Sequence, residues 1–138
     1  MSLGYSPCPN DTFLFYALVH GQLPQAPPFD EVLEDIETLN GMASREELDV
    51  VKVSFHALGH FLDRYCLLHS GGALGRGCGP LVVAAREMDP GDLESTCIAI
   101  PGRLTTAALL LRLFLPGERE LVEIPFDRIM SAVAGGEV

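Results

Sequence analysis

The run Leu3-Gly4-Tyr5-Ser6-Pro7-Cys8-Pro9-Asn10-Asp11-Thr12-Phe13-Leu14-Phe15-Tyr16-Ala17-Leu18-Val19-His20-Gly21 decides the fold class. Leu3 to Ser6 reads as a short strand. From Asp11 to His20, the residues Phe13, Leu14, Ala17 and Leu18 recur at helical spacing, and Gly21 is placed to stop the helix. Outward from this strand–loop–helix unit the alternation continues. Gln22 to Pro28 is a proline-rich loop, Val32 to Ile36 a second strand and Glu37 to Glu47 a polar helix. Val50 to Ser54 is rich in valine and bounded by charge, so it reads as a strand. Phe55 to Arg64 reads as an amphipathic helix, Tyr65 to His69 as a strand, Ser70 to Gly79 as a glycine-rich loop and Leu81 to Ala85 as a buried strand. Beyond the turn at Asp89-Pro90-Gly91, strands are expected at Cys97 to Ile100 and Leu121 to Ile124, and helices at Thr105 to Leu115 and Asp127 to Ala134. Strands alternating with helices predict an α/β fold with a largely parallel sheet.

The 138 residues carry nine Lys and Arg against nineteen Asp and Glu, a formal charge of −10, which argues against nucleic-acid or anionic-membrane partners. A hydrophobic share of 48% excludes a disordered chain. The most apolar run, Leu104 to Leu115, is interrupted by Arg112 and is too short to span a bilayer. It is apolar nearly all round, so burial on more than one side is expected. No basic-then-apolar leader opens the chain, and Cys8, Cys66, Cys78 and Cys97 form no C-x-x-C pair. They read as free thiols in a reducing compartment. Eight acids lie between residues 29 and 49, with Arg45 the one base, which reads as a solvated edge. The closing Gly135-Gly136-Glu137-Val138 reads as a turn leading into a further strand.

In open α/β sheets ligands sit at the carboxyl ends of strands, beside helix N-termini. Three loops have that form. Ser6 to Thr12 leaves a strand and opens a helix; Asn10 or Asp11 is a cap for that helix, and its free backbone N–H groups and dipole suit an anionic or polar ligand group. Pro101-Gly102-Arg103-Leu104-Thr105-Thr106-Ala107 offers two hydroxyls at a helix start, as caps or as a carboxylate cradle. Lys52 and Ser54 lie on one face of their strand; Lys52 either snorkels at an edge or reaches a cleft. The run Gly71-Gly72-Ala73-Leu74-Gly75-Arg76-Gly77-Cys78-Gly79 lacks the Gly-Lys-Ser/Thr of a phosphate loop, and reads as a hinge or a close backbone approach. His56 and His60 stand at i and i+4, but without a third ligand they are a weak metal signal.

Taken together, these stretches resemble the 1,4-dihydroxy-6-naphthoate synthase family of the futalosine route to menaquinone. The resemblance rests on the opening run from Leu3 to Phe13 with Phe15 to Gly21, then Leu33-Glu34-Asp35-Ile36-Glu37-Thr38-Leu39-Asn40 and Lys52-Val53-Ser54. It continues through Ser70 to Gly77, Gly79 to Val82, Pro101 to Arg103, Thr105 to Ala107, Asp127 to Ile129 and Gly136 to Val138. It implies a two-lobed fold like the type II periplasmic solute-binding proteins, with substrate between the lobes. On that reading the chain is a truncated form, holding most of the first lobe in residues 1–88 and the start of the second in 89–138. The implied activity is lyase-type conversion of cyclic dehypoxanthine futalosine to 1,4-dihydroxy-6-naphthoate, in the cytoplasm, with no metal or organic cofactor. The resemblance implies that Lys52, Val53, Ser54, Thr106 and Ala107 line the substrate pocket, with Asn10, Asp11 and Asn40 near it. The family's catalytic histidine would lie shortly beyond Val138, so the chain alone is expected to be inactive. Phe55-His56 follows Ser54 where a tyrosine is expected. The expected partner is a small carboxylate, with self-association through exposed apolar surface. A solute-binding lobe without catalysis and a chorismate dehydratase-like enzyme are the alternatives.

Overall fold

The computed structural model describes residues 1–115 and 117–138, in two compact units, Met1–Gly75 and Arg76–Val138. The first holds β1 (Ser2–Tyr5), α1 (Pro9–Val19), β2 (Asp30–Leu33), α2 (Ile36–Ser44), β3 (Val50–Val51) and the single-turn α3 (Phe55–Leu58). Its sheet is wholly parallel, in the order β2-β1-β3. Leu3 faces Glu31 and Val50 across the two ladders, and Gly4 faces Val32 and Val51. The central position of β1 explains its burial: Leu3 and Tyr5 are covered, together with Leu39 and Ala43 of α2, Leu48, Ala57 and Phe61. Gly4 is a point of close approach between β1 and the leucines that cover it. A Cβ there would lie 2.5 Å from Leu48 Cδ1 and 2.9 Å from Leu39 Cδ2, so any side chain at this position would force these buried leucines to shift.

Local chemistry sets the ends of the elements. Pro9 occupies the first turn of α1, and Gly21, at φ 65°, follows its last turn. The expected strand from Val32 to Ile36 ends at Leu33, because Asp35 is taken as the N-cap of α2 and accepts from the N–H groups of Glu37 and Thr38. Partial burial would raise the Asp35 carboxyl, but the bond from the Thr38 hydroxyl and then these N–H bonds hold it below its usual range. The helix expected through Glu47 stops at Ser44, and Glu46 turns left-handed at φ 58°. The amphipathic helix expected to Arg64 tightens after Leu58 into turns, in which His60 and Phe61 donate to Ala57 and Leu58, three residues back.

The second unit holds a 3-10 turn (Asp92–Ser95), β4 (Ile98–Ile100), α4 (Thr106–Phe114), β5 (Leu121–Glu123) and α5 (Phe126–Gly135). β4 and β5 pair in parallel, with Ile98 opposite Leu121 and Ile100 opposite Glu123. Ile100, Ala108, Leu115 and Ala132 form its small core. α5 ends on Gly136 in the left-handed region, with Glu137 N donating to the Ala132 carbonyl.

Three expectations fail here. Tyr65 to His69 and Leu81 to Ala85 form no strand, and Leu67, Leu68, Leu81, Val82 and Val83 are exposed. The burial expected on more than one side of the apolar helix is also missing, because Leu110, Leu113 and Phe114 of α4 are exposed. An apolar run becomes a buried strand or helix only where neighbours supply ladder bonds and cover. Among the described residues Tyr65 to His69 and Leu81 to Ala85 pair with no strand, and α4 is covered only along the side that carries Ala108.

Candidate functional site

The carboxyl ends of β1 and β3 carry a compact polar cluster. Ser6 follows β1, and Lys52 and Ser54 follow β3. The Lys52 N–H still donates to the Gly4 carbonyl at 2.8 Å, so the ladder holds its backbone in register. Asp11, in the first turn of α1, is 3% exposed. It does not cap its helix. The N-cap is Cys8, whose side chain makes no cap bond, and Pro9 needs no acceptor at the first position. The Asp11 carboxylate instead accepts from Ser6 Oγ at 2.7 Å and Ser6 N at 3.3 Å, and pairs with Lys52 Nζ. Lys52 does not snorkel at an edge: its ammonium is turned onto the buried Asp11 carboxylate. A buried carboxylate is tolerable because this ammonium and these donors replace water.

Asn40 joins the other side of the cluster. It is fully buried on α2, and its Oδ1 accepts from Ser54 N at 3.0 Å. Its Nδ2 donates to Glu37 Oε2 at 3.0 Å and to Ser54 Oγ at 3.3 Å. Both polar ends of Asn40 are thus spent on protein partners. Val53 and Ser54 are half-buried. Asn10 is exposed and stands outside the cluster. Glu37 and Ser6 were not singled out from the sequence. The i, i+3 spacing of Glu37 and Asn40 on one helix was the signal available.

Next to the cluster, the Tyr5 hydroxyl donates to the Glu31 carboxylate. Burial, then that bond, then the negative charges of Glu31 and Asp11 push the Tyr5 phenol up to about 12. Its ring packs on Phe15, with centroids 4.8 Å apart. Gly71, at φ 83°, passes over the same Phe15 ring, where a Cβ would come within 3.3 Å. The first glycine of the glycine run is therefore a close approach to an aromatic ring. A shallow apolar hollow lined by Pro9, Thr12, Phe13, Tyr16 and Ala17 lies on the face of α1 opposite Asp11, away from this chemistry.

In the second unit the Thr105 hydroxyl, 4% exposed, donates to the Gly102 carbonyl at 2.7 Å and accepts from Ala108 N at 3.2 Å. Thr105 is the cap, which leaves Thr106 and Ala107 as the half-buried first positions of α4. Their N–H groups meet no acceptor among the described residues, so a helix N-terminus suited to an anionic group remains. Arg103, beside it, pairs with Glu123 at 2.7 Å.

The His56 and His60 rings sit 5.4 Å apart, and no group of three or more His, Cys, Asp or Glu side chains able to hold a metal occurs among the described residues. All four cysteines are free thiols. No helix among the described residues is long and apolar enough to cross a membrane.

A family model described as menaquinone biosynthesis matches residues 1–137. The chain is 51% identical to a 1,4-dihydroxy-6-naphthoate synthase of Streptomyces coelicolor and 52% identical to one of Thermus thermophilus, covering all of this chain and 50% of each relative. It thus spans about half the length of the curated relatives it matches. The crystal structure of protein AF1704 from Archaeoglobus fulgidus superposes with a TM-score of 0.92 at 43% identity, over 99% of this chain and 50% of that one.

Proposed function

Because the chain belongs to the menaquinone biosynthesis family, we propose that it carries half of the binding machinery of a 1,4-dihydroxy-6-naphthoate synthase. The substrate is cyclic dehypoxanthine futalosine and the reaction a lyase-type release of the sugar-derived fragment, within a two-lobed fold like the type II periplasmic solute-binding proteins. Lys52, Val53 and Ser54 are the substrate contacts of the first unit; the second unit, taken by itself, offers Thr106 and Ala107 as a further candidate anion-binding position.

The observation that carries this reading is the polar cluster itself. Ser6, Asp11, Asn40, Lys52 and Ser54 come from three separate stretches of sequence and meet at the carboxyl ends of parallel strands. That is where ligands bind in such sheets. The ammonium of Lys52 is neutralised by Asp11. A substrate carboxylate is therefore met by hydroxyl and N–H dipoles, which hold an anion without trapping it as a full countercharge does. The free N–H groups of Thr106 and Ala107 are donors of the same kind.

The proton-abstracting base is assigned to none of His20, His56, His60 and His69. A positioned base contributes ~10²–10⁴-fold in rate, so the 138 residues alone are expected to show little or no turnover. The test supplies cyclic dehypoxanthine futalosine to the chain alone and to the chain joined to the second half of the Streptomyces coelicolor relative, and follows 1,4-dihydroxy-6-naphthoate by mass spectrometry. Product from the joined protein and not from the chain alone is expected. No product from the joined, folded protein, or dehydration of chorismate in its place, overturns the assignment.

A further inference from the structure

Ser54 occupies the N-cap position of α3, yet its hydroxyl makes no cap bond there, although capping is the common use of a serine at that place. Asn40 has taken the hydroxyl. The orientation of the Asn40 amide is fixed by two partners of opposite kind. The Ser54 N–H can only donate, and it meets Oδ1 at 3.0 Å. The Glu37 carboxylate oxygen Oε2 accepts from Nδ2 at 3.0 Å. The second hydrogen of Nδ2 is then the one aimed at Ser54 Oγ, 3.3 Å away. A hydroxyl that accepts on one side has its own proton left to give on another.

We infer that Asn40, oriented by Glu37, is a positioning residue that makes the Ser54 hydroxyl a directed hydrogen-bond donor to an anionic oxygen of the substrate. The inference rests on the proposed contact between Ser54 and substrate. It reassigns Asn40 from a ligand contact to the residue behind one. The Lys52 ammonium gives one of its three donors to Asp11; Ser54 adds a donor at the same strand end whose direction Asn40 sets. The chain Glu37–Asn40–Ser54 polarises in one sense, each acceptor strengthening the next donor.

The probe is 1,4-dihydroxy-6-naphthoate, titrated calorimetrically into the full chain and into Asn40→Asp, Ser54→Ala and the doubly substituted protein. Asn40→Asp still accepts from the Ser54 N–H but cannot donate to Ser54 Oγ. Hydrogen exchange at the Ser54 amide should therefore stay slow while affinity falls about tenfold, the worth of one hydrogen bond. Ser54→Ala should lose about as much, and the double substitution no more than Ser54→Ala alone, because one residue acts through the other. Asn40→Asp sets a second carboxylate beside Glu37, so Glu37→Ala is the companion variant. It leaves the amide unanchored and should weaken binding roughly threefold. An equal further loss from Asn40→Asp in the Ser54→Ala background, or full affinity in Asn40→Asp when Ser54→Ala binds weakly, overturns the inference alone. A folded, unsubstituted chain that binds no probe overturns the functional reading beneath it.

Discussion

Replacing Lys52 with methionine tests the polar cluster where it is most exposed to failure. The Asp11 side chain is 4% exposed and that of Lys52 is 21% exposed. In Lys52→Met the Asp11 carboxylate keeps the Ser6 hydroxyl and N–H, but loses its cation. Breaking a fully buried ion pair costs ~3–5 kcal/mol. Water reaches the Lys52 end and Ser6 remains, so the loss should sit below that range, at roughly 2–3 kcal/mol. Asp11→Asn in the same background removes the stranded charge while still accepting from Ser6. The double variant should then regain about 1 kcal/mol or more over Lys52→Met. The chain has three tyrosines and no tryptophan, and Tyr5, Tyr16 and Tyr65 all lie in the first unit, so tyrosine emission during urea unfolding reports that unit alone. A loss under about 0.5 kcal/mol for Lys52→Met would refute the reasoning, since exposed pairs are worth that little. Additive losses in the double variant would refute it too.

Other outcomes follow from single features. Gly4→Ala drives a methyl into Leu39 and Leu48, both buried, and should cost about 1–3 kcal/mol in the same unfolding assay. The Tyr5 phenol, raised to about 12 from 10.0, holds its proton more tightly in the folded state than in the unfolded chain. Its contribution is therefore fully present below pH 10 and lost as pH rises towards 12, a total of roughly 2–3 kcal/mol; Tyr5→Phe should flatten that alkaline slope in pH-dependent urea melts. Thr105→Val removes the cap of α4 and should lower the stability of the second unit by ~1 kcal/mol, read by hydrogen exchange at Ala108. Light scattering should show association that rises with concentration, driven by the exposed Leu113, Phe114, Phe126 and Met130; a monomer at all concentrations refutes it.

The βα rhythm of the fold is legible because it rests on local chemistry. Pro9 and Gly21 bracket α1, Thr105 opens α4, and the valines before Lys52 give β3. What fails is what depends on distant neighbours. Leu81 to Ala85 has the composition of a buried strand, but composition carries no information on whether a second strand lies alongside. The same limit governs the cluster. That Lys52 and Ser54 share a face is visible in the alternation, whereas the Asp11–Lys52 pair joins positions 41 apart. Pattern alone offered Asn10 and Asp11 equally as caps; the structure makes neither a cap and buries only Asp11. Asn40 was placed near the cleft by resemblance, but the two bonds that turn its amide inward have no signature in composition.

The strand order β2-β1-β3 also has a meaning in time. β1 can pair with β2 as soon as the chain has passed Leu33, but its second ladder waits for Val50 and Val51. Bringing β3 home closes the longer loop and meets the larger entropic cost. Lys52 and Ser54 arrive with it, so a half-folded unit already has its hydrophobic pairing and still lacks a site. Any ligand that grips those two residues acts as a clasp on the last strand to dock, and slows its departure whenever the sheet begins to open.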